Sequence, residues 1–259
     1  MMTPFIPRYD FHLHTALCGH ASKESTLANL AARADVVGLD TICITEHVGS
    51  TADYARIEQL QREAARIRSR CRVVVGMEVD ADRKQWDGLL AYDVPDDIPY
   101  VLASIHFVPG TNVLPHCQSM PELTDEQVFD RWRSTFLGMV QNPRIDCIAH
   151  PGVMICSSRR NQGITEDVLD VFRAAAVPCL RNGIAWEVND AVDAKLSAPE
   201  QEAYHRILQV GVDAGVRLVY GSDAHSPDRV GSTGWAARVV ANLRGVNPDD
   251  FRIPPCDRS

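Results

Sequence analysis

Seven apolar segments of strand length alternate along this chain with amphipathic helical segments. The strands are predicted at residues 8–14, 39–45, 72–80, 100–106, 145–150, 184–189 and 216–225. The helices are predicted at residues 27–37, 52–70, 125–140, 164–176, 199–214 and 235–243. This alternation is typical of a parallel sheet covered by helices. Because no Gly-x-Gly-x-x-Gly follows the first strand, the pattern favours a closed or nearly closed α/β barrel over a dinucleotide-binding sheet.

The chain length fits one such barrel. Its 259 residues lie within the usual size of a barrel that does not divide, so a single domain over residues 1–259 is expected. The less regular segments, residues 81–99 and 109–123, are predicted to be long loops over the active face.

The first strand carries polar side chains on one face. Successive side chains of a strand point to opposite faces, so Asp10, His12 and His14 share one face while Phe11 and Leu13 take the other. Two imidazoles are therefore aimed at the same point. Taken alone, such a pair is as compatible with an exposed sheet edge as with a metal site.

Polar residues recur where the other strands end. Eight residues lie at or just past the ends of predicted strands: His12, His14, His47, Glu78, His106, His150, Asp223 and His225. A single histidine there usually bonds a backbone carbonyl, but eight such groups rarely arise for packing reasons because buried polar groups need partners. In a parallel barrel these ends converge on one mouth, which predicts a polynuclear metal site. His116 and His205 fit neither the strand ends nor the motifs, and a structural or surface role is expected for both.

Charge, hydropathy and cysteine content argue against a nucleic-acid-binding, a membrane-spanning or a disulfide-linked protein. The chain has 26 basic and 34 acidic residues, a net charge of −8, which disfavours broad binding of duplex nucleic acid. No run is long and apolar enough for a membrane span and the N-terminus does not resemble a signal peptide, so a cytoplasmic protein is expected. The eight cysteines form no Cys-x-x-Cys pair, which favours buried free thiols over disulfides or a zinc-thiolate site.

Six short motifs resemble those of a known family in their order. They are Asp10-Phe-His-Leu-His-Thr-Ala-Leu-Cys-Gly-His20, Thr45-Glu-His47, Gly76-Met-Glu78, Ser104-Ile-His106, His150-Pro-Gly and Gly221-Ser-Asp-Ala-His225. This set resembles the PHP family, the polymerase and histidinol phosphatase superfamily. The spacing from His14 to His20 through a loop with a cysteine is most similar to the histidinol-phosphate phosphatase branch.

The resemblance implies a distorted (β/α)7 barrel of TIM-like type and a centre of three divalent metal ions. It implies that His12, His14, Glu78 and Asp223 hold the first ion. It implies that Glu78 bridges to a second ion held with His106 and His150, and that His20, His47 and His225 hold the third. Every one of these nine positions carries the residue type found in the family.

Such a centre suits hydrolysis of a phosphate ester. A hydroxide that bridges two cations is a strong nucleophile at neutral pH, and a third cation neutralises charge on the phosphoryl oxygens. Imidazole and carboxylate ligands suit zinc, iron or manganese without choosing among them. Glu78, Asp223 and His225 are the candidate catalytic residues. Asp10 and Glu46, next to ligands in sequence, are candidates for orienting the imidazoles.

The substrate-binding residues are less constrained. Arg159 and Arg160 follow the His150 motif and could hold a phosphate group, with Lys195 as a further candidate. The sixth strand departs from the histidinol phosphatase pattern, which resembles Glu-Ile-Asn-Thr followed by an arginine. Here it is Glu187-Val-Asn-Asp190, with no arginine before Lys195.

Three hypotheses follow. The first is hydrolysis of a small phosphomonoester, with L-histidinol phosphate as the expected substrate. The second is a phosphodiesterase, or a phosphatase of another small metabolite, in the same family. The third is a catalytically silent binding module, which would be expected to have lost metal ligands. The expected partner is a small phosphorylated metabolite, with no membrane and no duplex nucleic acid, and the sequence does not indicate an oligomeric state.

Overall fold

The computed structural model describes residues 5–49, 53–115, 122–158 and 164–252. Seven parallel strands form one sheet in chain order, from β1 to β7. They are β1 Tyr9–Leu13, β2 Thr41–Val48, β3 Arg72–Asp80, β4 Val101–Ser104, β5 Cys147–Ile148, β6 Ala185–Asn189 and β7 Leu218–Gly221. All five residues of β1 are buried, as in a strand covered on both faces.

Helices connect consecutive strands except β3 and β4, which are joined by a loop. Those described are α1 Leu27–Val37, α2 Tyr54–Ala64, α3 Asp125–Met139, α4 Val153–Ser158, α5 Glu166–Asn182, α6 Val192–Lys195, α7 Ala198–Ala214 and α8 Gly234–Asn242. Local sequence sets several ends. Thr26 caps α1 through the N–H of Asn29, and Gly38 ends that helix in the left-handed region. Among the described helices, none has the length and apolar character needed to cross a membrane.

The first and last strands approach each other and nearly close the sheet. Leu13 and Ala224 form a parallel bridge, and the N–H of His14 donates to the carbonyl of Ala224 at 3.0 Å. Asp10 joins the two sides of this seam, since its buried carboxylate accepts the N–H groups of Ser222 and Gly231, each at 2.9 Å. The predicted nearly closed α/β barrel is therefore confirmed.

The helices pack on the sheet through apolar and aromatic side chains. Trp132 and Phe136 on α3 contact Phe172 on α5, which meets Trp186 of β6 edge to face at 5.4 Å between ring centroids. All four rings are buried. A second buried cluster lies beneath α1 and α2. These clusters hold the strands that carry the polar ends.

Two helices differ from their predicted bounds. The helix predicted at 52–70 ends as α2 at Ala64, because the carboxylate of Asp35 accepts the Ser69 hydroxyl and the Cys71 N–H, which fixes the turn into β3. The helix predicted at 164–176 continues as α5 through Pro178 to Asn182. Packing there outweighs the tendency of proline to break a helix. Pro178 and Cys179 are buried, and the indole N–H of Trp186 donates to Cys179 Sγ.

Several strands are shorter than predicted. β4, β5 and β7 stop before His106, His150 and Asp223, so these residues lie in the turns that follow. The short helices α4 and α6 were not predicted. Residues 81–99 contain no helix and only one antiparallel bridge, which agrees with the predicted loop. In the second predicted loop, residues 116–121 lie outside the described residues, and with them His116 and Cys117.

Candidate metal centre

The polar residues at the strand ends gather at one end of the barrel. Four overlapping groups have ligand atoms within 4.8 Å of one another: His14 with His47 and His225, Cys18 with His20 and His225, His12 with His14 and Asp223, and His47 with Glu78 and His106. Each group joins residues from different segments of the chain. The strand order therefore converts an arrangement spread over the sequence into one site.

Glu78 lies at the centre of this site and is buried. Its Oε2 is 3.3 Å from His12 Nε2, 3.6 Å from His14 Nε2 and 2.9 Å from His47 Nδ1. Its Oε1 is 3.4 Å from His106 Nε2 and 3.3 Å from His150 Nε2. The two oxygens of one carboxylate thus face two separate sets of imidazoles.

Asp223 faces the first of these sets. Its Oδ1 is 3.6 Å from His12 Nε2 and 3.4 Å from His14 Nε2. Two ligands of one tetrahedral cation, each about 2.1 Å from it, are separated by about 3.4 Å. The spacing of carboxylate oxygens and ring nitrogens therefore fits cation ligands.

Several buried polar atoms lack a hydrogen bond of normal geometry among the described residues. They are His12 Nε2, both ring nitrogens of His14, both oxygens of Glu78, and His150 Nε2. Buried groups of this kind are destabilising when they stay unpaired. Because the Nε2 atoms of the three histidines lie within 3.6 Å of the oxygens of Glu78, and all of these are ligand types, the residues present fit a group of divalent cations.

A further set of histidines lies toward the solvent. His20 Nε2 and His225 Nε2 are 2.9 Å apart, and the ring of His47 lies 5.1 Å from that of His20. His14 stacks between His47 and His225, with 4.3 Å between ring centroids on each side. His20 is exposed, whereas His14 is buried. The set is therefore continuous with the deeper residues but open to the cleft.

The electrostatic environment shifts the protonation equilibria of the buried ligand candidates in different directions. Burial, and then the neighbouring His47, lowers the pKa of His14 well below its usual value, and burial likewise lowers the pKa of His150. Burial opposes charge on Asp223, but Lys195 and then His12 outweigh it and hold the pKa of Asp223 well below its usual value. At neutral pH His14 and His150 are thus neutral imidazoles and Asp223 is an ionised carboxylate, whereas the carboxylates around His12 outweigh burial and hold the pKa of His12 well above its usual value.

Carboxylates outside the ligand set orient two of the imidazoles. Glu187 Oε1 accepts from His12 Nδ1 at 2.7 Å, and its Oε2 accepts the backbone N–H of His150 at 2.6 Å. Asp80 Oδ1 accepts from His106 Nδ1, also at 2.7 Å. A hydrogen bond at one ring nitrogen fixes the tautomer and turns the other nitrogen into the site.

The backbone takes unusual conformations where two of these residues lie. Among the described residues, the non-glycine residues with positive φ are His150, at 27°, and Asp223, at 54°. Such conformations are held by their surroundings and are common at functional sites. Nearby, Gly221 leaves no room for a side chain, because a Cβ there would be 2.1 Å from Glu187 Oε1 and 2.6 Å from His12 Cβ.

Lys195 lies in the same cleft. Its ammonium contacts Asp223 Oδ2, and its side chain is 24% exposed. The cleft has a volume of about 720 Å³ and is lined by His20, His47, His106, Lys195, Asp223 and His225 together with loop residues. The structure therefore brings Lys195 to the histidines. Arg159 and Arg160 lie outside the described residues.

A family model described as the PHP domain matches residues 10–191, more than half of the chain. The chain belongs to the PHP domain family. This confirms the resemblance that the ordered motifs carry. The match covers the PHP residues from His12 to Glu187, while Asp223 and His225 lie beyond it.

Curated relatives of this PHP protein align over nearly their whole length. A probable histidinol-phosphatase of Deinococcus radiodurans is 27% identical over 257 residues, covering 92% of this chain and 93% of the relative. A probable phosphatase of Vibrio campbellii is 26% identical over 239 residues, covering 90% of this chain and 83% of the relative.

Solved structures share the PHP fold at low identity. Histidinol phosphate phosphatase of Lactococcus lactis, solved with zinc, L-histidinol and phosphate, superposes with a TM-score of 0.64 at 17% identity, covering 96% of this chain and 99% of that one. A putative histidinol phosphatase of Listeria monocytogenes gives a TM-score of 0.60 at 14% identity, covering 88% and 98%. Likeness at this level shows the distorted (β/α)7 barrel alone.

Sequence reasoning misassigned two carboxylates of the PHP site and missed two others. Asp10 and Glu46 were expected to orient imidazoles, but both accept backbone N–H groups: Asp10 closes the barrel seam, and Glu46 Oε1 accepts from Thr15. Glu187 and Asp80 take the orienting role instead. A signal for Asp80 is its spacing from Glu78, since residues two apart on a strand share a face.

Two further residues are now placed. Asp190, part of the departure in the sixth strand, accepts the N–H groups of Trp235 and Ala236 at the start of α8, each at 2.8 Å. It also accepts the hydroxyl of Ser232 at 2.7 Å and lies 3.6 Å from the guanidinium of Arg229. Its role there is to cap that helix. His205 lies half-buried on α7 and lines a cavity separate from the cleft of the histidines.

Proposed function

We propose that this chain is a metal-dependent phosphoesterase that hydrolyses small phosphomonoesters, with L-histidinol phosphate as the preferred substrate. The arrangement around Glu78 is the observation that carries the proposal. Its two carboxylate oxygens face separate sets of imidazoles, at distances expected of ligands that share cations. Relatives named as probable phosphatases and a probable histidinol-phosphatase support the same chemistry.

We assign the ligands to three divalent ions. His12, His14, Glu78 and Asp223 would hold the first ion, and Glu78, His106 and His150 the second. His20, His47 and His225 would hold the third. Zinc, iron or manganese bound there would supply a hydroxide nucleophile at neutral pH and would neutralise charge on the phosphoryl oxygens.

The protein residues provide binding, orientation and proton transfer. Lys195 presents an ammonium to the cleft beside Asp223, where it would neutralise an oxygen of the phosphate. The leaving alkoxide needs a proton, and we assign its delivery to the ammonium of Lys195, which the ionised carboxylate of Asp223 holds in the cleft. Glu78 and His225 complete the proposed catalytic set. Arg159 and Arg160 stay predictions for phosphate binding.

Charge in the cleft favours a monoester over a diester. Three divalent cations against the two carboxylate ligands, Glu78 and Asp223, leave a net positive site next to the ammonium of Lys195. A terminal phosphate carries two negative charges and a diester one, and each additional charge is stabilised in a cleft partly shielded from water. Monoesters are therefore the better substrates.

The proposal is tested by measuring release of inorganic phosphate. Protein reconstituted with zinc, manganese or iron is assayed against L-histidinol phosphate, other small phosphomonoesters and phosphodiesters. We expect L-histidinol phosphate to be hydrolysed fastest and the diesters more slowly. His14→Ala and Asp223→Asn should lose nearly all activity, whereas His205→Ala, a histidine on α7 outside the site, should retain it.

Two results would contradict the proposal. Hydrolysis of a diester faster than that of every monoester would replace it with a phosphodiesterase that uses the same ligands. Metal-loaded protein that hydrolyses none of the panel would favour a binding module.

A further inference from the structure

Cys18 lies beside the histidines at the open side of the site. It is the last residue of a single 3₁₀ turn, Ala16–Cys18, that follows β1, and it lines the cleft of about 720 Å³. Among the described cysteines, five are buried and Cys18 alone is half-exposed. Its position in the cleft therefore needs an explanation other than core packing.

The sulfur of Cys18 lies within ligand distance of two histidines. Cys18 Sγ and one ring nitrogen each of His20 and His225 all fall within 4.8 Å of one another. The two ring nitrogens Nε2 of these histidines are themselves 2.9 Å apart. Three groups that bind soft or borderline cations thus converge from the loop after β1 and the turn after β7.

The loop around Cys18 fixes the position of its sulfur. The N–H of Ala21 donates to Cys18 Sγ at 3.3 Å. Gly19 permits this reversal because its φ is 88°, in the left-handed region. The turn therefore holds the sulfur beside the ring nitrogens of His20 and His225.

We propose that Cys18 is a further ligand, through its thiolate, of the ion assigned to His20, His47 and His225. This inference rests on the proposed metal centre and adds a sulfur to a ligand set that the sequence predicted to be free of thiolate. On binding, the S–H proton is released to solvent and the sulfur lone pair forms the bond to the cation. A thiolate among imidazoles favours zinc over manganese at this position.

Cobalt(II) gives a direct readout of the sulfur. Protein freed of metal and reconstituted with cobalt should show the near-ultraviolet charge-transfer absorption of a cobalt–thiolate bond. The Cys18→Ser variant should lose that band. The Kd of its most weakly bound ion should rise about tenfold or more, because a hard ligand replaces a soft one. Cys71→Ala, at the opposite end of β3 from the site, should keep both the band and the affinity.

A second measurement uses the protein without any substitution. Alkylation of Cys18 by iodoacetamide, followed by mass spectrometry, should be rapid in metal-free protein and strongly slowed by zinc, with the buried Cys43 as an internal reference. Three ions bound without a thiolate band, or a band that persists in Cys18→Ser, would overturn the role of Cys18 and leave the histidine centre intact. Failure to bind ions at all would overturn the metal centre together with it.

Discussion

Glu187 connects two parts of the site. One carboxylate oxygen accepts from His12 Nδ1 and the other accepts the backbone N–H of His150. In Glu187→Gln one of these donors must face an amide NH₂ instead of an acceptor. We expect metal affinity or kcat/KM to fall about 10- to 100-fold, measured by metal titration and by phosphate release.

A matched exposed position serves as the control for that variant. Glu166→Gln, on the first turn of α5, removes the same charge from a side chain that is 66% exposed. It should leave metal binding and turnover unchanged. If both variants behaved alike, the loss would reflect overall charge, and the account of Glu187 as the residue that orients His12 would fail.

At the residue scale, the sequence predicted ligand candidates better than it predicted their partners. His12 and His14 follow from alternation along a single strand, which is a local property. Glu187 reaches His12 across 175 positions of sequence, and the contact exists only because β7 brings Gly221 between β6 and β1. Cys18 was likewise interpreted as a buried thiol because its loop geometry cannot be read from spacing.

At the scale of elements, Gly221 sets how closely β7 approaches the site. A Cβ there would overlap Glu187 Oε1 and crowd His12. Gly221→Ala should therefore displace both side chains, lower the free energy of unfolding by about 1–3 kcal/mol and reduce metal binding. Denaturant unfolding and metal titration measure the two effects.

Gly234→Ala is the comparison for this substitution. A Cβ at Gly234 meets nothing within 4 Å, and the residue begins α8, so alanine there should leave stability and metal binding intact. Normal metal binding by Gly221→Ala would show that β7 can shift without cost to the site.

Asp190 belongs to the same scale, since it fixes α8 to the end of β6. It is buried and accepts two backbone N–H groups at the start of α8. Asp190→Ala should cost about 1–3 kcal/mol of unfolding free energy while leaving kcat unchanged per bound metal. The control is Asp193→Ala, at an exposed position on α6, which should change neither the free energy of unfolding nor kcat. A selective change in substrate preference for Asp190→Ala would instead place residue 190 in substrate recognition.

The ends of elements were harder to predict than the elements themselves. Helix periodicity located α2 and α5, but the true ends depend on contacts that are distant in sequence. Asp35 on α1 fixes the turn after α2, and Trp186 of β6 packs on the last turns of α5. Neither contact is encoded in the local pattern.

At the scale of the whole molecule, the proposed ions should stabilise the fold. Glu78 and the imidazoles around it are buried, and their ligand arrangement exists only in the folded chain. An ion present at a concentration one hundred times its Kd then adds about 2.7 kcal/mol to the free energy of unfolding. Treatment with a chelator should lower Tm, and addition of zinc should restore it, as followed by thermal unfolding. A chelator saturated with zinc beforehand should have no effect, and an unchanged Tm after verified metal removal would contradict this coupling.

The overall architecture was predictable because it follows from a repeated pattern. Seven apolar strands alternating with helices permit few arrangements, and polar residues at the strand ends then converge on one mouth. Closure was not predictable in detail. It depends on the bridge between Leu13 and Ala224 and on the buried carboxylate of Asp10, which from sequence alone is only a candidate for orienting an imidazole.

The central claim is that one barrel end holds three divalent ions around Glu78. Elemental analysis of purified protein, reconstituted with zinc or manganese and freed of excess metal, tests it most directly. We predict close to three ions per chain, and fewer in Glu78→Gln, because that change removes a bridge between two of them. A value of one ion or fewer in the reconstituted protein would contradict the account.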